Sequence, residues 1–130
     1  MTFVAGLMLS ACKPPTPDEQ LDNVGSWLAT ADMTAQAWLN HTTPEKYTRQ
    51  TLELSSKTIR QAADDLLESP PPGIDGGSLD SLLRRSASRV DRLSGLVVNR
   101  NSPAVRLDLH SLRGEEKAVH EIAERLKASR

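Results

Sequence analysis

Four stretches of this chain space their apolar residues by alternating threes and fours, and no other feature constrains the fold as much. In the first, Leu21, Val24, Leu28, Ala31, Ala35 and Trp38 follow the rule over about two and a half heptads. Residues three and four apart share one face of an α-helix, whereas a strand repeats every two, so each stretch reads as a helix with one apolar stripe. The second stretch is less hydrophobic, with Leu52, Ile59 and Leu66 at intervals of seven and Ser55, Ala62 and Ala63 in the same seam. The third runs through Leu79, Leu83, Ser86, Val90, Leu93 and Val97. The fourth carries Val105, Leu109, Leu112, Val119, Ile122, Ala123 and Leu126. Val105 to Leu109 also fits strand alternation, but the helical seam resumes beyond Gly114 and Glu116, where a kink or a break is expected.

Helix punctuation falls between these stretches. Thr16-Pro17-Asp18-Glu19 has the form of a capping box with Pro in the first turn, and Asn40 and His41 stop that helix. Thr43-Pro44-Glu45 repeats the Thr-Pro start, with Lys46 where a capping box would place Glu or Gln. The pairs Glu45/Arg49 and Glu53/Lys57 are expected to support the solvent face of the second helix. Ser69 to Gly77 holds three prolines and three glycines and is expected to form the longest internal loop, with Ser78 capping the third helix. Asn99-Arg100-Asn101 ends that helix and Ser102-Pro103 opens the last. The expectation is an all-α protein, an antiparallel up-down-up-down four-helix bundle over residues 18–130, with helices at about 17–40, 44–68, 78–99 and 103–128. Its core must come from Leu, Val, Ile and Ala, because Phe3, Trp27, Trp38 and Tyr47 are the only aromatic residues.

The N-terminus follows other rules. Met1 to Ala11 carries no charged side chain, and Phe3 to Leu9 is a continuous apolar run. Seven residues are too few to span a bilayer, which takes about twenty, but they suit the apolar region of a signal peptide. The tetrad Leu9-Ser10-Ala11-Cys12 resembles the lipobox of bacterial lipoproteins. That resemblance implies cleavage before Cys12, a diacylglycerol on its thiol and an acyl chain on its new amino group, with no other cofactor. It divides the chain into a signal-peptide remnant at 1–11, a lipidated cysteine and Pro-rich tether at 12–17, and the bundle. A Lys/Arg-bearing leader is expected upstream of Met1. Lys13-Pro14-Pro15-Thr16-Pro17 favours extended polyproline II at about 3.1 Å per residue, a stand-off of roughly 15 Å from membrane lipid. The resemblance also implies a membrane-anchored protein on the periplasmic or extracytoplasmic side. In a cell with two membranes, Lys13 after the cysteine, rather than Asp, points to the outer one.

A single cysteine allows no internal disulfide and excludes Cys-based zinc or haem attachment patterns. His110 and His120 fall off the seam of the fourth helix and His41 lies in a turn. His120-Glu121-Ile122-Ala123-Glu124 lacks the second histidine of a zinc-protease helix. Neither His110 nor His120 has the upstream Glu of a di-iron bundle. The glycines at 73, 76 and 77 are followed by no Lys-Ser/Thr pair, so they read as linker rather than a phosphate cradle. No catalytic residue and no metal site is assigned, and an enzyme is not expected.

Two side-chain sets remain as candidates. Trp27 and Trp38, eleven residues apart, lie on nearly one face with Ala31 and Thr34 between them. They either wall a pocket for an apolar ligand or fill the core by alternating large and small, and packing is the favoured reading. The second set is electrostatic. A net charge of −1 gives no reason to expect nucleic-acid binding, but the charges are unevenly spread. Residues 13 to 75 hold five positive and ten negative side chains, and residues 76 to 113 hold seven Arg against three Asp. Arg84 and Arg85 either compensate Asp64, Asp65 and Glu68 across the loop, or belong to a basic face left for an acidic partner or anionic head groups. Arg85, Arg89 and Arg92, spaced four and three beside the Leu83/Val90/Val97 seam, are the partner-binding candidates. The function expected is a lipid-anchored interaction module of the cell envelope, an adaptor, assembly factor or accessory subunit of a membrane complex with a protein partner. The alternative is a carrier or sensor holding an apolar ligand inside the bundle. Oligomeric state is left open.

Overall fold

The computed structural model describes residues 14–129, so the expected signal segment and Cys12 lie outside the described residues. Four helices follow one another, α1 Pro17–Leu39, α2 Glu45–Glu68, α3 Gly76–Val98 and α4 Ser102–Ala128, and no strand occurs among the described residues. Each helix packs on two neighbours, α1 on α2 and α4, and α3 on α2 and α4, with little contact across the α1/α3 diagonal. Contacts between helices run in opposite chain directions: Asp64 meets Arg84 while Arg60 meets Asp91. Asp22 meets Lys127 while Asp32 meets Arg113. Thus α2 and α3 are antiparallel, as are α1 and α4.

The seams enclose the core as the spacing predicts. Leu21, Val24, Leu28, Leu52, Ile59, Leu83, Val90, Val105, Leu112 and Val119 are all buried. Two seam residues are only partly buried, Ile122 on α4 and Trp38 at the end of α1, where Leu39 closes the seam instead. At 3.6 residues per turn, Leu39 is 18 residues or five full turns beyond Leu21 and returns to the same face, whereas Trp38 falls 100° short of it. Three buried hydroxyls enter the core without stranded donors. Thr48, Ser55 and Ser86 donate to the carbonyls of Pro44, Thr51 and Leu82 at 2.9, 2.8 and 2.8 Å. These small residues, with Ala62, Ala63 and Ala87, let α2 and α3 approach closely, and this is the most extensively packed pair.

The helix ends refine the sequence reading. The Thr16 N–H donates to Glu19 Oε1 at 3.1 Å, completing the expected box side chain to N-cap. α3 starts at Gly76 rather than after Ser78, because Asp75 is its N-cap and takes the Ser78 hydroxyl at 2.6 Å. First-turn N–H groups have no intrahelical partner, so two glycines are tolerated there. That hydroxyl, with the backbone N–H groups of Gly77 and Ser78, holds the Asp75 carboxyl below its usual range, against a smaller opposing effect of burial. α4 likewise begins one residue past Asn101, whose side chain accepts the Ala104 N–H at 3.3 Å, and it runs unbroken through Gly114. α1 and α3 end alike. Thr42 N–H reaches Ala37 O and Asn101 N–H reaches Leu96 O, each at 2.9 Å, with His41 and Arg100 in the left-handed region at φ 61° and 56°. The surface pairing of α2 also differs from expectation: Arg49 pairs with Glu53 at 3.9 Å, and Glu45 turns to Arg100 at 3.7 Å. Arg49 has a glutamate one turn away on either side, so local spacing alone does not choose between them.

Candidate functional site

The seam of α4 is not wholly apolar. Between Val105, Leu112 and Val119, at the same alternating spacing, stand Asp108 and Glu115, each only 8% exposed. Carboxylates this deep need partners, since an unpaired buried charge is strongly unfavourable. Arg89 of α3 supplies both: its Nε donates to Glu115 Oε1 at 2.8 Å and its Nη1 to Asp108 Oδ1 at 3.0 Å. Burial pushes the Arg89 pKa down, but the Glu115 and Asp108 carboxylates outweigh it and hold the guanidinium above its usual value. One turn away on either side, Arg85 Nε lies 3.3 Å from Glu115 Oε2 and Arg92 Nη1 lies 4.0 Å from Asp108 Oδ1. The order of these contacts makes α3 and α4 antiparallel. Asp108 Oδ2 is buried and accepts no hydrogen bond among the described residues.

The three arginines therefore differ in kind. The Arg89 side chain is 20% exposed and committed to the helix interface, while Arg85 and Arg92 are 61% and 69% exposed. Three guanidinium groups face two carboxylates, so the flank keeps a positive excess. Beside Arg92 a groove of about 400 Å³ runs between the helices, bounded by Leu96 on α3 and by Ala104, Leu107 and His110 on α4. Leu107 is the most exposed large apolar side chain among the described residues, at 75%.

The compensation expected across the α2–α3 loop is divided. Arg84 does serve it, with Nη2 2.7 Å from Asp64 and Nε 2.9 Å from Asp80, and both hydrogen bonds raise its pKa. Arg85 does not: consecutive residues on a helix point about 100° apart, and that rotation sends it to Glu115 instead. Apolarity alone does not mark Asp108 and Glu115 as seam residues, but their spacing of seven, in phase with Val105 and Val119, does.

Trp27 and Trp38 both pack partly buried against the core, and Ala31 and Thr34 between them are buried. Trp38 also lines a surface groove of about 360 Å³ with His41, Glu45, Arg100 and Ser102, in which Trp27 takes no part. His110 and His120 are exposed. Among the described residues no group of three His, Cys, Asp or Glu side chains is placed to hold a metal ion, and no helix is long and apolar enough to cross a membrane. Comparison with protein-family models, with curated proteins and with solved structures gave no match.

Proposed function

We propose that this chain is a lipid-anchored interaction module of a bacterial cell envelope, an adaptor, assembly factor or accessory subunit that holds an acidic protein partner on the flank shared by α3 and α4. The observation that carries this reading is the exposure of Arg85 and of Arg92, the second of which lines the groove that ends at Leu107. Cationic and apolar groups side by side on a rigid surface are what a docking interface requires. The carrier reading has less support, because the stripe between the two indoles is filled by Ala31 and Thr34. Anchoring rests on Leu9-Ser10-Ala11-Cys12, and two or more acyl chains give a durable hold that one does not. Lys13 at the following position favours the outer membrane of a two-membrane cell.

Two experiments test it. With a native upstream leader, Cys12→Ser should move the protein from the membrane to the soluble fraction and abolish labelling by fatty acid. An unlabelled wild type that still sediments with membranes would end the anchoring part. For docking, Arg85→Glu/Arg92→Glu should lose a partner that co-purifies with the wild type from solubilised membranes, while keeping its helical signal. A folded double variant that retains every partner would remove this flank from consideration. Arg89 is left intact because it holds the helices together.

A further inference from the structure

We propose that the flank shared by α1 and α2, on the far side of the bundle from the arginines, is a self-association surface, where a second copy of this chain packs with α1 of each copy against α2 of the other. The charges of α2 are sorted to one edge. Arg49, Glu53, Lys57 and Arg60 follow one another at steps of four, four and three, so they share one side of the helix. That side faces α3, because Glu53, Lys57 and Arg60 line a groove with Asp91. The other edge faces α1, where Thr58 and Gln61 share a groove with Gln20 and Asn23. Along it Tyr47, Thr51, Leu54, Thr58 and Gln61 carry no charge at neutral pH, and charge resumes only at Asp65, beside the start of α1. Across from them, the stretch of α1 from Asn23 to Leu39 includes one ionisable side chain, Asp32, which turns the other way to Arg113 of α4. The flank is also more apolar than its threonines suggest. Thr30 and Thr58 donate their hydroxyls to the carbonyls of Ser26 and Leu54 at 2.8 and 2.9 Å, so each presents a methyl group rather than an open donor. Tyr47 and Leu54 are 59% and 51% exposed, and Trp27 is partly buried.

The absence of charge selects a second copy as the occupant. In a two-fold contact a patch meets itself, so any net charge on it repels its own image. The α3/α4 flank has a positive excess and fails that condition, whereas the α1/α2 flank meets it. A charged partner finds no counter-ion here, and a bilayer surface favours Lys and Arg beside its aromatic residues, which this edge lacks. Area agrees with a dimer of modest strength. From Asn23 to Trp38 α1 rises about 22 Å, and two helices packed about 8–10 Å apart make a surface about 20 Å wide, or about 450 Å² per copy. A total of about 900 Å² lies just below the range of stable interfaces, so the dimer forms with rising concentration and is not obligate. The arrangement rests on the anchoring reading: with both α1 helices starting at one membrane, the two-fold axis runs along the helices and sets α1 of one copy against α2 of the other. Asn23 shares its groove with Gln61, and seven residues on, in opposite chain directions, stand Thr30 and Leu54. Thr30 of one copy therefore meets Leu54 of the other.

The test is sedimentation equilibrium of the full chain carrying Cys12→Ser, whose average mass should rise with concentration from 14.2 kDa towards twice that value. Leu54→Glu and Thr30→Glu should each keep the helical signal and raise the dissociation constant by about tenfold or more, because each sets like charges face to face or strands one against methyl groups. Thr30→Glu/Leu54→Lys should associate more tightly than either single variant, since every Glu then meets a Lys across the interface. If Thr30→Glu unfolds, Leu54→Glu decides alone, its side chain being half exposed. For the arrangement, Thr30→Cys chains mixed with Leu54→Cys chains, all with Cys12→Ser, should form a disulfide faster than either kind with itself. A mass that stays monomeric up to millimolar concentration overturns the proposal. So does association that both Glu variants leave unchanged, including association through the apolar run Phe3 to Leu9. Binding to phosphatidylcholine vesicles that Leu54→Glu abolishes, with no self-association, assigns the flank to lipid and overturns it too. A preference of Leu54→Cys chains for one another overturns the pairing of α1 with α2. The anchoring reading fails separately, in the membrane fractionation of Cys12→Ser.

Discussion

Arg89 reaches from α3 to Glu115 on α4, its Nε donating at 2.8 Å to a carboxylate that occupies a place in the hydrophobic seam. The same guanidinium holds Asp108, two turns earlier on α4, so one side chain sets the register of the two helices. Arg89→Leu leaves Glu115 only Arg85 at 3.3 Å and Asp108 only Arg92 at 4.0 Å, and is expected to destabilise the fold by up to about 3–5 kcal/mol. Replacing all three charges, with Arg89→Leu, Asp108→Leu and Glu115→Met, should restore or exceed wild-type stability, since matched apolar side chains need no desolvation to be repaid. Urea midpoints at unchanged slope would measure both. A cost under about 1 kcal/mol for the single variant would show that the pairing does not order this interface.

Glu116, next to Glu115 in the chain, gives a test by pH. Burial first, then the Asp32 carboxylate, pushes its carboxyl above the ordinary 4.5, and Arg113 and His120 only partly oppose them. The folded state thus binds this proton more tightly than the unfolded state. Its stabilising effect is complete below the ordinary glutamate range and is lost as pH rises through the raised folded value. Glu116→Gln should melt higher than the wild type at neutral pH, and the difference should shrink towards zero at roughly pH 4. Asp75 works in the opposite sense, because the Ser78 hydroxyl and the Gly77 N–H depress it below 3.8. Its contribution is present above that value and disappears as pH falls through the lower folded one, so Asp75→Asn should blunt acid unfolding.

Gly95 and Gly114 lie inside helices, and a Cβ added at either meets nothing within 4 Å. Each Gly→Ala change should therefore stabilise by about 0.5–1 kcal/mol through lower backbone entropy in the unfolded chain. Thermal melts of the two single variants would read this, and a loss at Gly114 would mean that α4 needs its flexibility there.

His41 and Arg100 are in the left-handed region, where a side chain is strained by about 1–2 kcal/mol. His41→Gly and Arg100→Gly should each stabilise by up to about 1 kcal/mol, part of the relief being offset by glycine's freedom when unfolded. The ion pair lost with Arg100 is surface-exposed and contributes little. Denaturant midpoints that fall for both would refute this account of the two helix ends.

Two leucines separate core from surface. Leu83 is fully buried, and Leu83→Ala should cost about 2–5 kcal/mol, while Leu107→Ala should change stability by no more than about 0.5 kcal/mol. Comparable losses at both sites would mean that Leu107 is covered in solution.

What the sequence by itself determined is whatever depends on neighbours along the chain. The three-four spacing from Leu21 to Leu126 dictates four helices and their buried faces, because 3.6 residues per turn is a local property of the backbone. Thr16 and Glu19 could likewise be read as a cap from their separation alone. Tertiary structure decided which charge meets which. Arg85, Arg89 and Arg92 form one stripe in the sequence, but how far each is buried depends on the rotation of α3 against α4. That rotation places Arg89 between two carboxylates and leaves its neighbours in water. The spacing of Asp108 and Glu115 puts them on the buried face of α4, but which cation meets them there is set by the neighbouring helix, and no spacing within α4 encodes that partner.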